Sequence, residues 1–265
     1  MIYLGVCGWP VAHSRSPQVH NAALAAVGLE GWRYLRMPLP PELFEEAIRA
    51  LPAAGFRGVN VTIPHKHAAL ALADRASDAA RAIGAANTLT FEDGAIVADN
   101  TDAPGLLATL PESPRGRTAL ILGAGGAGRA AAWALASAGA HVAIWNRTPE
   151  RARALAAELG VRAVDVAEPA EILVNCTSVG LHDPAVTFKA LPIEADDLGA
   201  GSLVVDLVYR AGSTHLLEAA RTRGARVVDG LEVLVAQGAA SFERWTGMEA
   251  PREVMRAAAT TIATT

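Results

Sequence analysis

The segment Thr118-Ala119-Leu120-Ile121-Leu122 runs without a break into Gly123-Ala124-Gly125-Gly126-Ala127-Gly128, and a stretch of helical composition follows to Ala138. An uncharged apolar strand of this kind is buried on both faces of a parallel sheet. Turning from it straight into a helix requires glycine, which alone permits the tight turn and lets another group approach the backbone N–H groups closely. Those N–H groups lie at the positive end of a helix dipole, the natural seat of a pyrophosphate. The G-x-G-x-x-G spacing is weak by itself, but a strand before it and a helix after it make it specific. The sequence therefore predicts a Rossmann-type, doubly wound α/β domain that binds a dinucleotide through Gly123, Ala124, Gly125, Gly126, Ala127 and Gly128.

Strand and helix signals alternate beyond the loop: strands at Val142–Trp145, Ile172–Asn175 and Leu203–Leu207, with a helix over Pro149–Leu159. Before it, Ile2–Gly8, Trp32–Met37 and Gly58–Thr62 read as strands, with helices after Pro17 and from Pro41 to about Ala50. Thr88–Phe91 and Ala95–Ala98 form a hairpin around Asp93-Gly94. Pro64 suits the first turn of a helix. The proline-bearing segment Pro111–Gly116 breaks the pattern shortly before the glycine loop. The last segments, Leu231–Trp245 and Pro251–Ile262, are helical in composition. The expectation is two α/β domains, residues 1–101 with 238–265 for the substrate and 102–237 for the dinucleotide, with the C-terminal helices returning to the first.

With 51% hydrophobic and 19% charged residues the chain can bury a core. A net charge of -4, with scattered arginines, carries no footprint for nucleic acid. The start of the chain has neither a basic region nor a cleavage site, no apolar run demands a membrane span, and Cys7 and Cys176 cannot build a disulfide framework. A cytoplasmic enzyme is expected, as a monomer or a homodimer. His13, His20, His65 and His67 lack metal-ligand spacing, so no metal site is expected.

NAD-selective sites place an acidic residue at the end of the second strand, where it bonds the ribose 2′-hydroxyl. Here that strand ends in Asn146-Arg147-Thr148, with Arg151 a turn further on. Two guanidinium groups and a hydroxyl suit the 2′-phosphate of NADP, although ordinary solvated arginines would look the same.

Lys66 and Lys189 are the only two lysines, arginine filling almost every other cationic position. A lysine amine can exchange its proton at working pH, whereas a guanidinium cannot. Lys66 would also lie in the first turn of a helix, where the dipole disfavours a cation. Composition leaves a plain surface lysine equally open. Asp102 follows the hairpin at the expected seam between domains, a favoured place for ligands, yet a helix N-cap explains it as well.

Ser14-Arg15-Ser16-Pro17-Gln18-Val19-His20-Asn21, Asn60-Val61-Thr62-Ile63-Pro64-His65-Lys66, Gly84-Ala85-Ala86-Asn87-Thr88 and Asn100-Thr101-Asp102 follow one another in the first half. The glycine loop, Asn146-Arg147-Thr148, Asn175-Cys176-Thr177-Ser178, Asp206-Leu207-Val208-Tyr209 and Gln237 follow in the second. In this order along the whole chain they closely resemble the shikimate dehydrogenase family. The resemblance implies reversible NADPH-dependent reduction of 3-dehydroshikimate to shikimate, a step of aromatic amino-acid biosynthesis. It implies Lys66 and Asp102 as catalytic residues. Ser14, Ser16, Thr62, Asn87, Tyr209 and Gln237 would hold the substrate, and Thr177, Leu207 and Gly230 would join the cofactor side. Helix capping is the residue-level alternative for Ser14 and Ser16. A quinate/shikimate dehydrogenase using NAD, a non-catalytic NADP-binding module and a folate-linked methylene dehydrogenase are the rival readings.

Overall fold

The computed structural model describes residues 1–181, 183, 186–210 and 212–261. It divides into two compact units, Met1–Gly105 with Leu234–Thr265, and Leu106–Val233.

The first unit opens with β1 (Ile2–Gly8), α1 (Ser16–Ala26), β2 (Trp32–Pro38), α2 (Phe44–Ala50) and β3 (Phe56–Val61). It continues with α3 (Lys66–Ala71), β4 (Arg75–Ala76), α4 (Asp78–Ile83), β5 (Thr88–Glu92) and β6 (Ala95–Asp99), and α5 (Asp102–Thr109) leads out of it. Its sheet runs β2-β1-β3-β5-β6-β4. β1 is parallel to β2 and β3, whereas β5 is antiparallel to β3 and β6. The β5–β6 hairpin turns on Asp93 and Gly94 with φ of 52° and 75°, the paired positive values that a two-residue turn between twisted strands needs. Cys7, Val59, Val61, Leu89, Phe91, Ile96 and Ala98 bury one face of the sheet against Phe44 and Ile48 of α2 and Ala69 of α3.

The second unit comprises β7 (Thr118–Leu122), α6 (Gly126–Ser137), β8 (His141–Trp145), α7 (Pro149–Leu159), β9 (Arg162–Ala163) and β10 (Ile172–Asn175). After these come α8 (Thr187–Ala190), β11 (Leu203–Asp206), α9 (His215–Thr222) and β12 (Arg226–Asp229). All six strands are parallel in the order β12-β11-β10-β7-β8-β9, the doubly wound arrangement of a dinucleotide-binding sheet. Alternate residues of β7 serve opposite cores. Ala119 and Ile121 pack with residues of α6 and α7, and Leu120 and Leu122 with residues of α9. This two-sided burial explains why the strand is apolar from Ala119 to Leu122, with polar Thr118 only at its exposed start.

The chain closes with α10 (Gly230–Thr246) and α11 (Arg252–Thr260), and α11 packs on α1. Trp245 donates its indole N–H to the Leu89 carbonyl at 3.1 Å, and Arg15 donates to the Ala259 carbonyl at 2.6 Å. The return of the C-terminal helices to the first unit is thus fixed by both apolar and polar contacts. The expected helix end at Ile262 lies outside the described residues.

Two local expectations need correction. Pro64 does not enter a helix: Ile63–Pro64 is a cis peptide in the turn before α3, and α3 starts at Lys66. The segment from Pro41 begins as a 3-10 turn and becomes α-helical only at Phe44. The compact units divide about one helical turn away from the expected 101/102 and 237/238 boundaries, inside α5 and α10. Asp102 and Gln237 consequently belong to the first unit, where both side chains bond Asn87. Among the described residues no helix is long and apolar enough to cross a membrane, and no group of His, Cys, Asp or Glu could hold a metal ion.

Candidate active site and cofactor loop

Strand direction gathers the polar residues of the first unit at one end of its sheet. β1, β3 and β6 all point their carboxyl ends there, and the antiparallel β5 contributes its start, with Thr88 opposite both Asn60 and Asp99. The loops leaving these ends carry Ser14 and Ser16, Thr62 and Lys66, Asn87, and Asn100 to Asp102. Four segments distant in sequence therefore supply a single cluster.

At its centre Lys66 Nζ donates to Asp102 Oδ2 at 2.5 Å. The side chains are 12% and 21% exposed, so the pair is screened from most solvent yet open to a ligand. The other carboxylate oxygen, Oδ1, accepts from Asn87 Nδ2 at 2.8 Å. Asn87 Nδ2 also faces Gln237 Oε1 at 3.4 Å. The capping alternative for Asp102 is not realised. Asn100 Oδ1 takes the Ala103 N–H at 3.2 Å at the start of α5, which leaves the Asp102 carboxylate to the lysine. Lys66 occupies the first turn of α3, and the neighbouring carboxylate offsets the unfavourable helix dipole there.

Ser14 and Ser16 are buried and their hydroxyls lie 3.2 Å apart. Among the described residues helix α1 has no side-chain cap; Ser14 Oγ accepts from the Ser16 N–H at 3.3 Å instead. The Thr62 hydroxyl has no hydrogen-bond partner among the described residues, while its backbone N–H is held by the Cys7 carbonyl at 2.8 Å. Hydroxyls and amides on the loops at the same end of the sheet as one ammonium–carboxylate pair suit a small polyhydroxylated molecule and a proton exchanged at one of its oxygens.

In the second unit every expected cofactor residue except Arg151 and those of the glycine loop beyond its first turn lies just past the carboxyl end of a strand. Gly123 follows β7, Asn146 to Thr148 follow β8, Thr177 follows β10, Leu207 follows β11 and Gly230 follows β12. The glycine loop leaves β7 between β8 and β10, where the order of the sheet reverses and ligands of such folds bind. Gly123 adopts φ of 109° and a Cβ there would sit 3.2 Å from Thr177. A Cβ on Gly128 would collide with the Gly123 carbonyl, so the helix can approach the strand only with glycine. Gly125 has open space in front of it, as a loop that receives a phosphate needs. Asn146 Oδ1 accepts the Ala124 N–H at 3.1 Å and holds the loop to the end of β8.

The guanidinium groups of Arg147 and Arg151 are exposed and have no hydrogen bond or ion pair among the described residues. Their neighbours behave differently: Arg129 pairs with Glu158 at 2.5 Å, and Arg153 with Asp165 at 2.8 Å. No acidic side chain stands at the end of β8. The loop and its flanks therefore fit a dinucleotide carrying an extra phosphate.

A second polar network was not anticipated as such. Asp206, fully buried, accepts from Thr214 Oγ1 at 2.6 Å, Asn175 Nδ2 at 2.9 Å and the Val208 N–H at 3.1 Å. Burial pushes its carboxyl up to about 6 against these three donors. Asn175 Oδ1 in turn accepts from Thr177 Oγ1 at 2.7 Å. The network fixes the loops bearing Thr177, Leu207 and Tyr209. In the first unit Asn60, Thr88 and Thr101 likewise support Asn87 without having been assigned a role. The available signal was a polar residue inside or ending an apolar strand, as in Gly58-Val59-Asn60-Val61 and Leu203-Val204-Val205-Asp206.

Comparison with known proteins matches residues 6–89 to the shikimate dehydrogenase substrate binding domain. Residues 107–181 match the shikimate / quinate 5-dehydrogenase model, and 230–260 the shikimate 5′-dehydrogenase C-terminal domain. A shikimate dehydrogenase (NADP(+)) of Thermus thermophilus is 48% identical over 252 residues, which cover 94% of each chain. The crystal structure of a Thermus thermophilus shikimate 5-dehydrogenase in complex with NADP(H) and shikimate superposes with a TM-score of 0.89 at 45% identity, covering 98% of both chains. Ligand-free 5-ketofructose reductase of Gluconobacter sp. strain CHM43 reaches a TM-score of 0.87 at 32% identity over 97% of each. With near-complete coverage at such identity, and the glycine loop and lysine–aspartate pair both present, the chain belongs to the shikimate dehydrogenase family.

Proposed function

We propose that this chain catalyses the reversible NADP-dependent oxidation of shikimate to 3-dehydroshikimate in the cytoplasm, with Lys66 and Asp102 as its catalytic pair. The observation that carries the assignment is the 2.5 Å contact of Lys66 Nζ with an Asp102 carboxylate that Asn87 holds from its other side. In the reductive direction the Lys66 ammonium stabilises the negative charge that builds on the carbonyl oxygen and delivers the proton to it. In the oxidative direction the amine accepts the hydroxyl proton. Asp102 keeps Lys66 in place and balances its charge in both.

NADP, when bound, supplies or accepts the hydride. Gly123 to Gly128 would hold its pyrophosphate, Arg147, Thr148 and Arg151 its 2′-phosphate, and Asn146 the loop itself. Thr177, Leu207 and Gly230 would serve the rest of the cofactor. Ser14 and Ser16 would take the substrate carboxylate, and Thr62, Asn87 and Gln237 its ring hydroxyls. Tyr209 follows the family pattern as a further substrate contact.

A second reading, reduction of another polyhydroxylated ketone, draws on the likeness to 5-ketofructose reductase, at 32% identity against 48% for the Thermus thermophilus relative. One spectrophotometric assay tests both: nicotinamide absorbance followed with shikimate, quinate or 5-ketofructose, and with NADP or NAD. Shikimate with NADP is expected to give the highest kcat/KM. Lys66→Ala should retain NADPH binding and lose turnover by ~10²-fold or more. A wild-type chain inert on shikimate, or a fully active Lys66→Ala, would overturn the assignment.

A further inference from the structure

Behind Asn87 the buried hydrogen bonds have a defined direction. Asn60 Nδ2 lies 3.2 Å from the Asn87 backbone carbonyl, which can only accept, so the amide nitrogen of Asn60 must be on that side. Its Oδ1 then faces the Tyr34 hydroxyl at 2.7 Å, and Tyr34 must donate. Asn60 Nδ2 also donates to Thr88 Oγ1 at 3.1 Å. Thr88 Oγ1 lies 3.0 Å from Asn87 Oδ1, to which it can donate, and 3.2 Å from Thr101 Oγ1, where either hydroxyl can be the donor; the shorter contact assigns the Thr88 proton to Asn87 Oδ1. That atom must be the oxygen, because the Thr101 N–H points at it from 2.7 Å. Asn87 Nδ2 is therefore the donor that faces Asp102 at 2.8 Å, with Thr101 Oγ1 at 3.0 Å and Gln237 Oε1 at 3.4 Å as its other neighbours. The four side chains behind Asp102 are buried: Tyr34 is 2% exposed, Asn60 6%, Thr88 0% and Asn87 3%.

We propose that Tyr34, Asn60 and Thr88 are positioning residues, a one-way hydrogen-bond chain that orients the Asn87 amide and strengthens its donation to Asp102. In a low-dielectric interior each donor polarises the next, so the last bond, onto a carboxylate, gains most. The consequence is a more firmly held Asp102 and, through it, a Lys66 amine fixed at the reacting oxygen. The inference rests on the functional reading above.

The keystone is Thr88, which is apart from both ligand contacts and the charged pair. Thr88→Val keeps the shape and removes the hydroxyl, while Asn60 retains the Asn87 carbonyl as a partner. The loss of one such bond predicts a kcat lowered roughly threefold to tenfold, with KM for NADP unchanged. Thr88→Ser should restore kcat. In an Asp102→Asn background the same Thr88→Val change should cost nothing further, since a residue acting through Asp102 has no effect once that carboxylate is gone. Tyr34→Phe removes only the first proton of the chain and should give a smaller drop with the same dependence on Asp102; it carries the test if Thr88→Val does not fold. An unchanged kcat in Thr88→Val, a loss shared by Thr88→Ser, or an equal loss in both backgrounds would overturn the proposal. Wild-type enzyme in the same assay separates the two ideas. No turnover of shikimate by wild type removes the functional reading, whereas wild-type turnover with an indifferent Thr88→Val removes only the chain.

Discussion

Asp206→Asn should make the protein more stable at neutral pH and leave it little changed in acid. The wild-type carboxyl has no exposed surface, and burial raises it to about 6, with the nearby Asp229 charge acting in the same direction. Because the folded pKa exceeds the unfolded one, the folded chain holds this proton more tightly. The associated stability is present in full below the unfolded pKa and is lost as pH rises through about 6. A shift from 3.8 to about 6 corresponds to about 3 kcal/mol once the group is fully ionised, and about 1 kcal/mol of that is already lost near pH 4.5. The asparagine carbonyl can still accept from Asn175 and Val208. Thr214, whose hydroxyl now donates, can turn to accept from the new amide. Asp206→Asn thus imitates the protonated acid. Urea unfolding of both proteins at about pH 4.5 and about pH 7.5 measures the effect: the variant should gain about 2 kcal/mol on wild type between them. A gap between the two proteins that stays the same at both pH values would refute the reasoning.

His20 should give the opposite pH dependence in the first unit. Its ring is fully buried, stacked on Tyr34 at 4.2 Å, with neither nitrogen hydrogen-bonded among the described residues, and burial lowers its pKa to about 3. Stability is then lost as pH falls from the unfolded value of 6.5 toward about 3, about 2 kcal/mol by pH 5, and His20→Leu should flatten that part of the urea unfolding profile. Arg147→Ala combined with Arg151→Ala should weaken NADPH binding about tenfold or more in a fluorescence titration while leaving NADH nearly unaffected. Gly128→Ala should abolish binding of both nucleotides, because the added methyl meets the Gly123 carbonyl, and retained affinity would show that the loop is not the phosphate seat.

The cofactor half was legible from local chemistry. The apolar run of β7, the glycines behind it and the missing acid after β8 act within a few residues of one another, and local signals of that kind survive in a linear sequence. The returning helices were legible as helices from composition, and the absence of a strand among them gave the expectation that they pack back on the first unit. Lys66 stood out because a lysine is rare in this chain. Asp102, by contrast, could equally have been a cap, and Ser14 and Ser16 likewise.

Only the folded chain separates those alternatives. The role of Asp102 depends on Asn100 taking the cap of α5 and on Asn87, brought alongside by the antiparallel β5, holding the second carboxylate oxygen. Asn60, Thr88 and Tyr34 reach the same cluster from strands separated by tens of residues, and the hydrogen-bond direction among them follows from which neighbour can only accept. Sequence patterns carry turn geometry and burial, which are properties of adjacent residues. The partner of a buried polar group is chosen by strand order and register, and these arise only once the sheet has formed.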